Sequence, residues 1–173
     1  DALPISSALA GNAGADSFSN FTKFVGSTSA DTFTIAHSDT TSYDLKGNGG
    51  ADTFVVGQGN NTIDGGPSAT GILSFANATE SVTTTLTGAG AGTGAGTDSG
   101  SNQFTNIKTF IGGTGGDTFN ASADTGTNAY TYTGGIGKDK SCADIVNAGC
   151  QLAALPPAIE QRGTAARHEN AHV

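Results

Sequence analysis

The chain has 173 residues, enough for one domain, with 27 glycines and only 13% charged residues. So much glycine argues against a helical protein, because glycine is costly in a helix interior, and the 35% hydrophobic fraction leaves a thin core built from spaced Phe, Ile, Val and Leu. The net charge of −8 comes without a basic patch, so no nucleic-acid partner is expected; a divalent cation is the more natural counter-ion. No apolar run reaches the length of a membrane-spanning helix, so membrane insertion is not expected either.

A phrase of glycines, then Asp, then Thr or Ser, then Phe recurs along the chain. It ends at Asp16-Ser-Phe18, Asp31-Thr-Phe33, Asp52-Thr-Phe54 and Asp117-Thr-Phe119. In chain order, strands are expected at Phe21–Val25, Ser42–Leu45, Asp52–Val56, Asn61–Ile63, Ile72–Phe75, Ser81–Leu86, Phe104–Ile111 and Ala129–Tyr132. In Asp52–Val56 the alternation places Phe54 and Val56 inward, with Thr53 and Val55 outward. Gly88 to Gly100 alternates glycine with Ala, Thr and Ser and is expected to be a flexible loop or a tight small-residue coil. After Asp139 the pattern breaks. Residues 1–140 are therefore expected to form the repeat domain, and 141–173 a cap or flexible tail.

Asp16, Asp31 and Asp52 recur at intervals of 15 and 21 residues, a mean close to twice a nine-residue unit. A longer repeat aligns Asn20–Phe33 with Asn106–Phe119, an offset of 86. The expected fold is all-β, a right-handed parallel β-solenoid of the β-roll or β-helix kind, with an irregular C-terminal tail. It would have roughly seven coils of about 18–20 residues. Stacked coils would line up Phe18, Phe33 and Phe54 in one internal column. The open ends of such a rod must be capped or paired, which allows self-association end to end into filaments.

A glycine-rich turn can aim several carbonyls at one spot, and an Asp adds a charged oxygen. Calcium takes about six to eight oxygens, so a stacked pair of turns is the smallest plausible site. The same pattern also serves as plain β-turns in which Asp bonds its own backbone. Gly112-Gly-Thr-Gly-Gly-Asp117-Thr-Phe119-Asn120 resembles the nine-residue signature of the RTX, or haemolysin-type calcium-binding, repeats. Similar stretches cover roughly residues 11 to 140. The resemblance implies a secreted or cell-surface bacterial protein with a parallel β-roll and calcium in its turns. The family includes toxins, proteases, lipases and adhesins, so the repeat alone names no activity. The leading expectation is a structural or adhesive repeat segment stabilised by calcium, with the balance leaning away from an enzyme. Its candidate metal ligands are Asp16, Asp52, Asp117 and Asp139, with carbonyls of Gly49, Gly113 and Gly115.

Two other readings stand beside it. His168-Glu169-Asn170-Ala171-His172 fits the H-E-x-x-H pattern of a zinc hydrolase, in which two His bind zinc and Glu acts as base; it also fits a chance match on a polar tail. T-x-T triplets at Thr32–Thr34, Thr83–Thr85, Thr85–Thr87 and Thr131–Thr133 fit an ice- or polymer-binding array, or ordinary β-propensity on a solvated face. Asp98-Ser99-Gly100 resembles a serine-protease nucleophile loop but lies in a low-complexity stretch, and His37-Ser38-Asp39 is contiguous and cannot close a triad on itself. Cys142 and Cys150 are placed either to close a small disulfide loop or to remain thiols. The chain begins at Asp1, without Met or a signal peptide, as expected of a processed product or a fragment.

Overall fold

The computed structural model describes residues 5–6, 20–68, 70–124 and 128–141. Among these residues there is no helix, and short strands alternate with turns. One sheet contains, in spatial order, β1 (Ile5–Ser6), β3 (Thr32–Thr34), β5 (Thr53–Val55), β7 (Gly71–Ser74), β11 (Ile107–Ile111) and β13 (Thr131–Thr133). The other contains β12 (Thr118–Asn120), β8 (Val82–Gly88), β9 (Ala91–Gly96), β10 (Gly100–Thr105), β6 (Thr62–Asp64), β4 (Asp44–Lys46) and β2 (Lys23–Val25). From β2 to β8, and again from β10 to β13, successive strands alternate between the two sheets.

The three-residue strands bury their central side chain and turn the flanking pair outward. In the six-stranded sheet the central residues Phe33, Phe54, Leu73, Phe110 and Tyr132 fall in register. Phe24, Leu45, Ile63 and Phe104 do the same in the seven-stranded sheet. The two rows share one core, since the rings of Phe104 and Phe110, from opposite sheets, lie 5.1 Å apart. Phe33 and Phe54 stack face to face at 5.1 Å with an interplanar angle of 2°. The expected pairing of Phe33 with Phe54 is therefore present, as is the inward placement of Phe54 and Val56; Phe18 lies outside the described residues.

The expectation of a right-handed parallel β-solenoid is corrected. The chain forms two mostly parallel sheets that are interrupted by antiparallel pairings, rather than one uniformly wound ladder. β1 joins β3 antiparallel, and β8, β9 and β10 form an antiparallel meander inserted between β6 and β12. The cause lies in Gly88 to Gly100. Gly90 and Gly100 take positive φ, +65° and +63°, and reverse the chain at each end of β9. Gly92 and Gly94 let β9 lie close in: a Cβ on Gly94 would sit 2.4 Å from the Phe75 ring. The segment is thus neither a loop nor a coil of its own.

A second departure is at Phe104–Ile111. It is two strands in different sheets, divided at Asn106, whose φ of +59° turns the corner. Asn20, its counterpart in the 86-residue repeat, has φ of +64°.

The core row makes a direct prediction. Phe54→Ala should cost about 3–5 kcal/mol in urea unfolding, from lost burial and the cavity left behind. Val25→Ala, at a side chain 68% exposed, should change stability by less than about 0.5 kcal/mol.

Candidate functional site

The recurring Asp residues turn inward. Asp31, Asp52 and Asp117 are 5%, 0% and 1% exposed. Each stands just before a strand, and the Asp31 carboxylate accepts the Ser27 N–H of its own turn. Asp117 shows the full arrangement: Oδ2 accepts the Gly113 N–H of its own turn at 2.7 Å, and Oδ1 accepts the Val82 N–H of the adjacent strand at 2.7 Å. Asp139 Oδ1 accepts the Asp117 N–H, and Asp52 Oδ1 accepts the Asp31 N–H, both at 2.9 Å. Asn61 fills the same place before β6; its Oδ1 accepts the Tyr43 N–H at 3.0 Å. Its amide group then donates to Asn102 Oδ1 at 2.7 Å, and Asn102 donates to the Ser99 carbonyl at 2.8 Å.

Glycine makes this possible at the head of the recurring phrase, a position whose role the sequence reading did not draw out. Gly26, Gly47, Gly112 and Gly134 each stand five residues before an Asp of the series, and a Cβ on any of them would lie 2.1 to 2.5 Å from that Asp's Oδ2. The carboxylate occupies the space a side chain would need. The signal was available as a fixed G-x-x-x-x-D interval, which also includes Gly11 and Asp16.

Of the expected metal ligands, Asp16 lies outside the described residues. Asp117 and Asp139 come together, but through a backbone N–H of one and a carboxylate of the other. Gly113 uses its N–H on Asp117, and its carbonyl accepts from the Ile136 N–H at 3.1 Å. Gly49 donates to the Ser27 carbonyl, and Gly115 packs against the Glu80–Ser81 backbone. At Asp117, N–H groups point at both carboxylate oxygens. Among the described residues no group of three or more His, Cys, Asp or Glu is gathered to hold a metal. The Oδ2 atoms of Asp52 and Asp139 are buried without a hydrogen-bond partner.

Burial pushes the Asp52 and Asp117 carboxyls above the ordinary value of 3.8; backbone N–H bonds pull the other way, and the nearby Asp31 and Asp139 charges add to the rise. Asp39, Asp64 and Asp98 go down. Burial raises each of them, but hydrogen bonds from Thr41, Asn106 and Thr79 respectively outweigh it.

Asp98 ties another corner. Its Oδ2 accepts the Thr79 N–H and hydroxyl at 2.7 and 2.8 Å, and lies 3.7 Å from His37 Nε2. The Ser99 hydroxyl is buried and makes no hydrogen bond, so these residues do not form a Ser-His-Asp relay. His168, Glu169, His172, Cys142 and Cys150 lie outside the described residues. Compared with known proteins, the chain matches no family model, no curated protein and no solved structure.

The buried carboxylates lead to a pH test. A carboxyl raised on folding stabilises in its protonated form; that contribution is complete below about pH 3.8 and lost as pH rises through the folded value. Asp52→Asn keeps an acceptor for the Asp31 N–H and removes the buried charge. It should therefore raise stability near pH 7, with the gain closing as the pH falls to about 4. Asp52→Ala should cost about 1–3 kcal/mol at both, by orphaning that N–H. Urea unfolding across this range measures both, and equal losses for Asn and Ala at neutral pH would refute the assignment.

Proposed function

We propose that this chain is a structural segment of a larger secreted or cell-surface protein, a stiff spacer that carries exposed sheet faces at fixed spacing. The observation supporting this reading is the series of internal ties between neighbouring strands: Asp52 to Asp31, Asn61 to Tyr43, Asp117 to Val82, and Asp139 to Asp117. Each ties a turn or strand start to the next layer, so one layer's geometry is passed to its neighbour. The secreted or surface setting rests on the resemblance of the Gly112–Asn120 motif to extracellular repeats.

In this reading the ties belong to the chain, and calcium is not needed to close them. A ligand that binds only the folded state raises its stability in proportion to the logarithm of its concentration. Millimolar chelator followed by excess calcium should therefore leave the melting temperature unchanged. Limited proteolysis should leave a resistant fragment lying within residues 20–141. Loss of strand signal on chelation would show that the ion supplies the rigidity. Digestion throughout that region would remove the structural reading itself.

A further inference from the structure

The outward positions of the six-stranded sheet form two rows. Thr32, Thr53, Ile72, Thr109 and Thr131 are paired in register across five parallel strands. Two residues further along each strand, Thr34, Val55, Ser74, Ile111 and Thr133 form the second row. Thr32, Thr34 and Thr133 are exposed, and Thr53, Val55, Ile72, Thr109, Ile111 and Thr131 are half-buried. Ser74 alone is sunk into the surface, its hydroxyl accepting the Ala76 N–H.

Neither row contains a charged residue. The nearest strand charge is Lys108, set off at the bulge of β11, where its ammonium lies over the Tyr130 ring and donates to Asn128. The other sheet is different. Its outward row passes through Lys23, Asp44, Thr62, Gln103, Thr93, Thr85 and Asn120, and Lys23 pairs with Asp44 at 3.5 Å. The triplets at Thr83–Thr87 fall on this charged sheet; those at Thr32–Thr34 and Thr131–Thr133 bracket the uncharged one.

We propose that the outer face of the six-stranded sheet binds the ordered water lattice of ice. Parallel strands repeat about every 4.8 Å, and alternate residues along a strand about every 6.6 Å. The face therefore presents methyl and hydroxyl groups on a two-dimensional grid, on the scale of the oxygen repeat at an ice surface. Threonine supplies both groups: the methyl holds water in a cage, and the hydroxyl anchors that cage by a hydrogen bond. An uncharged, periodic face is complementary to an uncharged, periodic solid. A soluble ligand is instead held in a concave site with a few convergent polar groups. The inference rests on the structural reading above, since only a stiff segment keeps the rows in register.

The test uses the full chain. Thermal hysteresis and inhibition of ice recrystallisation are measured for the parent, for the double variant Thr53→Tyr/Thr109→Tyr, and for Thr62→Tyr on the opposite sheet, with circular-dichroism melts to confirm folding. The parent and Thr62→Tyr should be active, and the double variant should lose at least about tenfold. A folded parent with no hysteresis overturns the inference and leaves the structural reading intact. Equal losses in both variants overturn the choice of face. A parent dimer broken by the double variant, with no effect on ice, reassigns the face to self-association. A parent without strand signal sinks the structural reading, and this inference with it.

Discussion

The fold depends on a carboxylate placed where a side chain cannot be. At Gly112 and Asp117 the missing Cβ leaves a space that Oδ2 fills, within reach of the Gly113 N–H, while Oδ1 extends to the strand beside it. One residue closes its own turn and fixes the next layer. Backbone N–H groups at turns have no ladder partner of their own, and leaving one buried and unpaired costs about 1–3 kcal/mol. The Asp removes that cost at two places. Further along the same sheet Asn61 does this for the Tyr43 N–H with no charge, and because an amide both accepts and donates it continues the line to Asn102.

The arrangement has an electrostatic cost that sets its limits. Stacked turns bring carboxylates into pairs, Asp31 with Asp52 and Asp117 with Asp139, and the Asp31 and Asp139 charges add to the rise of Asp52 and Asp117. Burial acts in the same direction, and N–H donors only partly offset it. A long uninterrupted column of such Asp residues would accumulate repulsion. Among the described residues each stack holds two: beyond Asp117 the next strand offers only the Val82 N–H, and at β6 and β10 the uncharged Asn61 and Asn102 make the tie.

Much of this was legible in the residues, and what was not has identifiable causes. Strand positions and the inward set at Phe54 and Val56 follow from period-two alternation, which depends only on local backbone geometry. The meander at β8–β10 was not legible, because glycine alternating with Ala and Thr specifies neither a direction nor a partner; Gly90 and Gly100 act through φ, which composition does not reveal. The division at Asn106 was hidden for a similar reason, since a single left-handed residue inside an apolar run reads as continuous strand. The recurrence of Asp residues after glycines was legible as a pattern. Their chemistry was read from the glycines after the turn's start, Gly49, Gly113 and Gly115, whereas the structural partner is the glycine that begins the turn. Gly-rich turns carrying Asp can serve a cation or their own N–H groups, and only the direction of the oxygens separates the two.

The 86-residue repeat shows how little of the layer assignment is local. Phe24 lies in the seven-stranded sheet, and its counterpart Phe110 in the six-stranded one; Phe33 and Phe119 are exchanged in the same way. The same phrase therefore folds equally well on either face. What differs is the pair of outward residues: Lys23 and Val25 against Thr109 and Ile111, Thr32 and Thr34 against Thr118 and Asn120. Inward residues and turns carry the stability and are interchangeable between sheets, so the outward pairs are free to give each sheet its own surface chemistry. The confinement of the paired outward charges Lys23 and Asp44 to one sheet, and the absence of charge from the outward rows of the other, is not required by folding, and it is there that a function of the faces has to be sought.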